Sequence, residues 1–348
     1  MNVTSLYASA FAGCTALEAI SVAEGNRRYD SRENCNAIIE TDTNTLVTGC
    51  KETIIPESVV RIGKEAFRGQ RLNNLFIIET ISDIDGMAFA DCAALETINV
   101  AKGNRRYDSR ENCNAIIETN TNKLILGCKS TTFPNSVSVI DYAAFWGCLD
   151  LTEIIIPKTI TDIGFSAFEG CVGLSRVEIP NTISRINPSV FQGCCNLKAI
   201  FIPESVNEIR EYAFLRCSNL ERIEVAKDNK VYDSRNNCNA IIQTSKNILI
   251  QGCSNTVIPE SVTEIGWNAF YGCRGLRNIV IPHSITRIGD NAFTNCINLM
   301  NVVIPESVNE IGGRAFEGCQ NLKSIVIPKS VNEIGYDAIP YGCKVIRR

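Results

Sequence analysis

Seventeen cysteines, one histidine and a recurring column of carboxylates are the side chains of this 348-residue chain best suited to chemistry. Cysteine with histidine can cage zinc or form a nucleophile pair, and two carboxylates about 5–9 Å apart can hydrolyse a glycosidic bond. The spacing argues against each use. No Cys-x-x-Cys occurs, and His283 follows Ile281-Pro282 in a turn position held elsewhere by Glu204, Glu260 or Lys329, so it reads as a solvated loop residue. The carboxylates Asp83, Asp162, Glu208, Glu264, Glu310 and Glu333 share their column with Arg61, Arg185 and Arg287, the signature of a solvated face with interspersed charge. No phosphate-cradling glycine loop or dinucleotide fingerprint is present. The expectation is no catalytic residues, no metal ligands and no cofactor.

The cysteines fall into two sets. Ten occupy one slot of a repeat: Cys14, Cys92, Cys148, Cys171, Cys194, Cys217, Cys273, Cys296, Cys319 and Cys343, with Gln70 filling the same slot once. Stacked coils would place such residues about 4.8 Å apart with parallel Cβ vectors, and a disulfide prefers Cβ atoms about 3.8 Å apart. They read as small buried hydrophobes. Six more pair at a separation of 15, Cys35 with Cys50, Cys113 with Cys128 and Cys238 with Cys253, and these pairs are the better candidates for bridges; Cys195 stands alone.

The element that positions these residues is the repeat itself. The phenylalanine of an Ala-Phe pair, or of its near equivalent, returns at Phe11, Phe67, Phe89, Phe145, Phe168, Phe191, Phe214, Phe270, Phe293 and Phe316, with Ile339 in the last slot. The gaps are 56, 22, 56, 23, 23, 23, 56, 23, 23 and 23. A fixed period of this length means stacked copies of one supersecondary unit, a solenoid that favours a recognition surface over a catalytic cleft. The unit from Leu197 reads Leu-x-x-Ile-x-Ile-Pro-x-x-x-Val-x-x-Ile-x-x-x-Ala-Phe-x-x-Cys. Ile200 and Ile202 have the period of a short strand with one face inward, and Pro203 ends it by removing a backbone donor. A second extended piece runs from Val206 to Ile209. Pro340 marks where the pattern is expected to decay.

These motifs resemble the BspA-like class of leucine-rich repeats of bacteria and protists, over nearly the whole chain. The resemblance implies a β-rich solenoid, a right-handed leucine-rich repeat superhelix of about eleven coils. It also implies a secreted or cell-surface location and binding of matrix components, other microbes or other proteins. We expect one domain spanning 1–348.

Three gaps are longer by 33 residues, and the extra blocks, about 22–54, 100–132 and 225–257, are near copies. Alternating runs around a polar turn, as in Ala37-Ile38-Ile39-Glu40-Thr41 and Leu46-Val47, predict a β-hairpin in each. Each block repeats Tyr-Asp-Ser-Arg, at Tyr29–Arg32, Tyr107–Arg110 and Tyr232–Arg235. This reads either as a polar contact site in three copies or as a turn whose Asp and Ser bond nearby backbone.

Apolar content of 45%, charged content of 21% and a net charge of −4 leave no reservoir of positive charge for a phosphate backbone, so nucleic acid is not an expected partner. No run approaches the roughly 20 apolar residues that span a bilayer, and no membrane insertion is expected. Asn2-Val3-Thr4-Ser5-Leu6 with Ala10-Phe11 matches Ser261-Val262-Thr263-Glu264-Ile265 with Ala269-Phe270, so the chain is expected to open inside a repeat.

Strand alternation decides which side chains point outward. The outer column is Ser21, Phe76, Asn99, Ile155, Glu178, Phe201, Glu224, Val280, Val303 and Val326, and six of the ten are apolar. Contiguous apolar surface marks interaction sites, although β-branched and aromatic residues also favour strands for their own sake. The candidate partner-binding residues are Phe76, Ile155, Glu178, Phe201, Glu224, Val280, Val303 and Val326. They suit a non-enzymatic monomer that recognises a protein or glycan; the alternative is a structural spacer within a larger cell-surface protein.

Overall fold

A computed structural model describes residues 3–7 and 9–348. Asn2, part of the sequence match at the N-terminus, lies outside the described residues. The chain divides into two compact units, Met1–Thr152 with Thr159–Val172, and Glu153–Lys158 with Gly173–Arg348. Both are β-solenoid, with about 12 turns in all, close to the expected eleven. Among the described residues the only helices are single 3-10 turns at Arg32–Asn34, Arg110–Asn112 and Arg235–Asn237.

Each plain coil contributes two short strands. Asn278–Val280, Asn301–Val303 and Ser324–Ile327 pair in parallel as one ladder, and Glu264–Ile265, Arg287–Ile288, Glu310–Ile311 and Glu333–Ile334 pair as another. The pattern that made Ile279, Val302 and Ile325 inward residues holds, since all three are buried. Between the second strand and the next coil the Ala-Phe turn projects its ring into the core. Rings of successive coils lie nearly parallel, 4.9 Å apart for Phe270 and Phe293 and 5.1 Å for Phe293 and Phe316. Each fully buried ring adds about 1.5–3 kcal/mol of apolar burial. The turn is also hydrogen-bonded forward, from the N–H of Phe293 to the carbonyl of Ala315 at 2.7 Å.

The slot cysteines are buried apart from Cys14 and Cys343, and they do more than fill space. The thiols of Cys92, Cys171, Cys217, Cys296 and Cys319 donate to the carbonyl of the phenylalanine one coil back, at 3.0–3.2 Å. Gln70 reproduces this bond from its amide Nε2 to the Phe11 carbonyl, at 3.2 Å. That bond satisfies the amide nitrogen in the buried slot, while Gln70 Oε1 has no partner among the described residues. Burial pushes the Cys92, Cys148 and Cys273 thiols up to about 12, which removes them as nucleophiles near neutral pH.

All seventeen cysteines are free thiols, so the pairs within the blocks do not bridge. The two members of a pair are committed to different backbone carbonyls. Cys35 Sγ points at the Ala37 carbonyl, whereas Cys50 Sγ donates to those of Glu18 and Asn36.

The C-terminus also departs from expectation. The pattern does not decay after Pro340, because Lys344–Arg347 forms another strand in parallel register with Ser324–Ile327.

Candidate functional site

The blocks contain the expected hairpins, Ala37–Glu40 with Thr45–Gly49, Ile116–Glu118 with Lys123–Leu126, and Ala240–Gln243 with Ile248–Gly252. The returning strand joins the second-strand ladder of the following coil in parallel, as Thr45 opposite Arg61 and Leu46 opposite Ile62. Its end takes over the phenylalanine slot. Gly49, Gly127 and Gly252 send their N–H groups to the carbonyls of Ala66, Ala144 and Ala269, the bond a plain coil makes from phenylalanine. Glycine is required there. A Cβ on Gly252 would lie 2.2 Å from the Phe270 ring.

The Tyr-Asp-Ser-Arg motif resolves to the turn reading. Arg32 forks onto Asp30, with Nε to Oδ1 at 2.8 Å and Nη2 to Oδ2 at 2.6 Å, and its Nη1 reaches Asn44 and Ser58. One guanidinium thereby ties the block to its own hairpin turn and to the next coil. Arg110 and Arg235 repeat the clamp on Asp108, Asn122 and Ser136, and on Asp233, Asn247 and Ser261. The Arg32 hydrogen bond holds Asp30 below its ordinary carboxylate value. At Asp108 and Asp233 burial acts to raise the carboxyl, and the arginine hydrogen bonds outweigh it, leaving both lowered. The block tyrosines close the interrupted ladder: Tyr107 and Tyr232 hydroxyls accept the N–H groups of Ile84 and Ile209 at 3.1 and 3.0 Å. With every guanidinium occupied internally, the motif is a brace.

The predicted outer column points outward. Val280, Val303 and Ile155 are 83%, 71% and 72% exposed, Phe76 56% and Phe201 47%. Glu178 and Glu224 are exposed, and Val326 is half-buried. These residues are divided between the two units and, within the second, among separate sheets. In the first unit Phe76 lies in register with Asn99. In the second unit Ile155 is in register with Glu178, and Phe201 with Glu224. Ile155, Glu178 and Phe201 come together along a shallow cavity of about 530 Å³ that also takes in Lys158, Asn181 and Glu204 from the proline turns. Glu178 and Glu224 are each paired with an arginine of their own strand, Arg176 and Arg222.

Further along the same unit Val280, Val303, Val326 and Ile346 follow one another in parallel register. Ile346, 40% exposed, is the residue that sequence reasoning missed. Its signal was the adjacent β-branched pair Val345-Ile346, obscured by the absence of a phenylalanine in the turn before it. Asn278 and Asn301 run alongside, linked by a side-chain hydrogen bond at 3.2 Å.

The carboxylate column behaves as a charged ladder. Arg287 reaches Glu264 and Glu310 at 2.8 Å each, and Arg61 reaches Asp83 at 3.0 Å. His283 is exposed on its turn. Among the described residues no group of acidic, histidine and cysteine side chains could hold a metal, and no helix is long and apolar enough to cross a membrane.

Comparison with known proteins agrees with this architecture. A leucine rich cell surface protein from Faecalibacterium prausnitzii is similar in structure, with a TM-score of 0.55 at 24% identity, over 92% of this chain and 95% of that one. The pneumococcal vaccine antigen PcpA is similar with a TM-score of 0.53 at 16% identity, over 95% of this chain and 88% of that one. Both likenesses concern the fold. No curated protein matches the chain. The family model of the BspA type leucine rich repeat region matches in six copies, over residues 47–124, 115–241 and 250–347. With its repeat, its ring stack and its paired ladders accounted for, the chain belongs to the BspA type leucine-rich repeat family.

Proposed function

We propose that the protein is a non-enzymatic recognition or adhesion protein that binds its partner through the strand-lined face of the second unit. The observation that carries this reading is the ladder of Val280, Val303, Val326 and Ile346, an aliphatic strip held in register on the outer face. A row of branched aliphatic side chains on a rigid sheet offers apolar area with little ordering cost on binding. That chemistry suits protein side chains better than a glycan. Ile155 and Phe201 add a second, separate apolar area on strands of the same unit, beside carboxylates already paired with Arg176 and Arg222. A secreted or cell-surface setting accords with the family and with the F. prausnitzii cell surface protein of similar fold.

The test is a screen of the protein against immobilised matrix proteins and glycans, repeated with V280K/V303E/V326K. Captured ligands should be lost from the folded triple variant. Binding that survives the triple variant would sink the reading, and the absence of any ligand would favour a spacer.

A further inference from the structure

Each of the three blocks has a cavity beside its hairpin, and the third is lined by different side chains from the other two. A block coil ends its second strand in glycine where other coils carry the Ala-Phe turn. The turns on either side consequently face one another across a gap. In the second block the gap is a cavity of about 160 Å³ and in the third about 320 Å³, while the cavity of about 550 Å³ beside the first block runs over Arg61 and Asp83 of the adjoining ladder. Equivalent positions line all three, Thr45 and Val47 in the first matching Ile248 and Ile250 in the third.

The first two grooves satisfy themselves. Arg28 pairs with Glu40 at 3.0 Å and Arg106 with Glu118 at 3.2 Å, each guanidinium lying over the neighbouring tyrosine ring. Beside the second, the Tyr142 hydroxyl also donates to the sulfur of Met87. In the third groove both members of the ion pair are replaced, by Val231 and Gln243. Among the described residues the Gln243 side-chain amide has no hydrogen-bond partner.

The turns facing each other here carry Tyr212 and Trp267, with ring centroids 5.0 Å apart and planes at 66°. The rings stay 42% and 44% exposed. Ile209, Ile248 and Ile250 form the floor. The other charged groups nearby are committed elsewhere, Glu264 to Arg287 and Arg210 to Glu208. That leaves a near-neutral groove with an aromatic wall, the amide of Gln243 and the carboxylate of Glu211.

From this set we infer that the third groove is a subsite for a neutral pyranose ring. A pyranose presents an apolar C–H face, which an indole or phenol ring covers, and a rim of hydroxyls that donate and accept together. A primary amide answers both roles, whereas the ion pair of the other grooves would cost desolvation and offer no apolar face. The volume is at the small end of the range for small-molecule sites, about 300–1,000 Å³, and suits one ring or two. The site is separate from the strand face and independent of the function proposed for it.

The test uses the full chain with lactose, cellobiose, mannobiose and N,N′-diacetylchitobiose as probes. Binding is followed by saturation-transfer NMR and, in a Trp146→Phe background, by emission of Trp267. At least one disaccharide should give a saturable change with a dissociation constant on the order of 1 mM. Trp267→Ala should weaken it about tenfold or more. V231R/Q243E, which rebuilds the ion pair of the other grooves, should abolish it with the melting temperature unchanged. The strand-face triple variant should bind the sugar as before. No saturation by any of the four up to about 50 mM, or binding that persists in both Trp267→Ala and V231R/Q243E, would overturn the inference.

Discussion

The same coils of the second unit carry two solvent-facing ladders of opposite character. On one strand Val280, Val303, Val326 and Ile346 present unpaired aliphatic surface; on the other Glu264, Arg287 and Glu310 bind one another across the strands. Both rest on one core, the stacked rings of Phe270, Phe293 and Phe316. Their difference lies in what remains unsatisfied. A charged ladder whose partners are internal has little free energy to gain from a ligand, while exposed aliphatic surface gains by being covered. Exposure alone therefore does not single out a face with free energy to gain from a ligand; exposure without internal partners does.

The comparison is broken most severely by removing what both ladders share. Phe293→Ala should cost about 3–5 kcal/mol, measured by denaturant unfolding, because it deletes a fully buried ring from the middle of a stack. A loss below about 1 kcal/mol would mean that the stack does not support the ladders. Gly252→Ala comes next. Its Cβ would meet the Phe270 ring at 2.2 Å, so overpacking of about 1–3 kcal/mol is expected, again read from unfolding curves.

An acid titration sharpens the contrast between braced and unbraced charge. Asp30, Asp108 and Asp233 are held below the ordinary value of 3.8, so the unfolded chain binds their protons more readily than the folded one. The stability they contribute is fully present above pH 3.8 and is lost as pH falls through the lower folded values. Asp233→Asn should lower the melting temperature at pH 7 and narrow the gap to wild type toward pH 3. A constant gap across that range would contradict the clamp. The smallest effect is expected from Arg287→Met. Its partners are partly solvated, so the loss should be about 1 kcal/mol or less after solvent screening, with ligand binding unchanged.

Much of this was legible before any coordinates. Period two in Ala199-Ile200-Phe201-Ile202 is enough to send Ile200 inward and Phe201 outward, because a strand leaves no other choice once one face is buried. The hairpins were legible for the same reason. The phenylalanine slot in the blocks was not, because Gly49, Gly127 and Gly252 share its backbone bond and not its side chain. Slot cysteines looked like plain hydrophobes, since a thiol bond to a carbonyl one coil away leaves no trace in local spacing; Gln70 was the one clue. The third groove is legible only in where the blocks differ. Its signal is Lys230-Val231 where the others read Arg-Arg, and Gln243 where they read Glu.

The central claim is that the aliphatic ladder, and not the charged one, is the recognition face. It is tested most directly by measuring binding of a captured ligand to wild type, to V280K/V303E/V326K and to Arg287→Met at equal stability. The expected result is loss of about a hundredfold or more in affinity for the triple variant, about 2.7 kcal/mol or more, and none for Arg287→Met. Undiminished binding by the triple variant, or equal loss in both, would contradict the account.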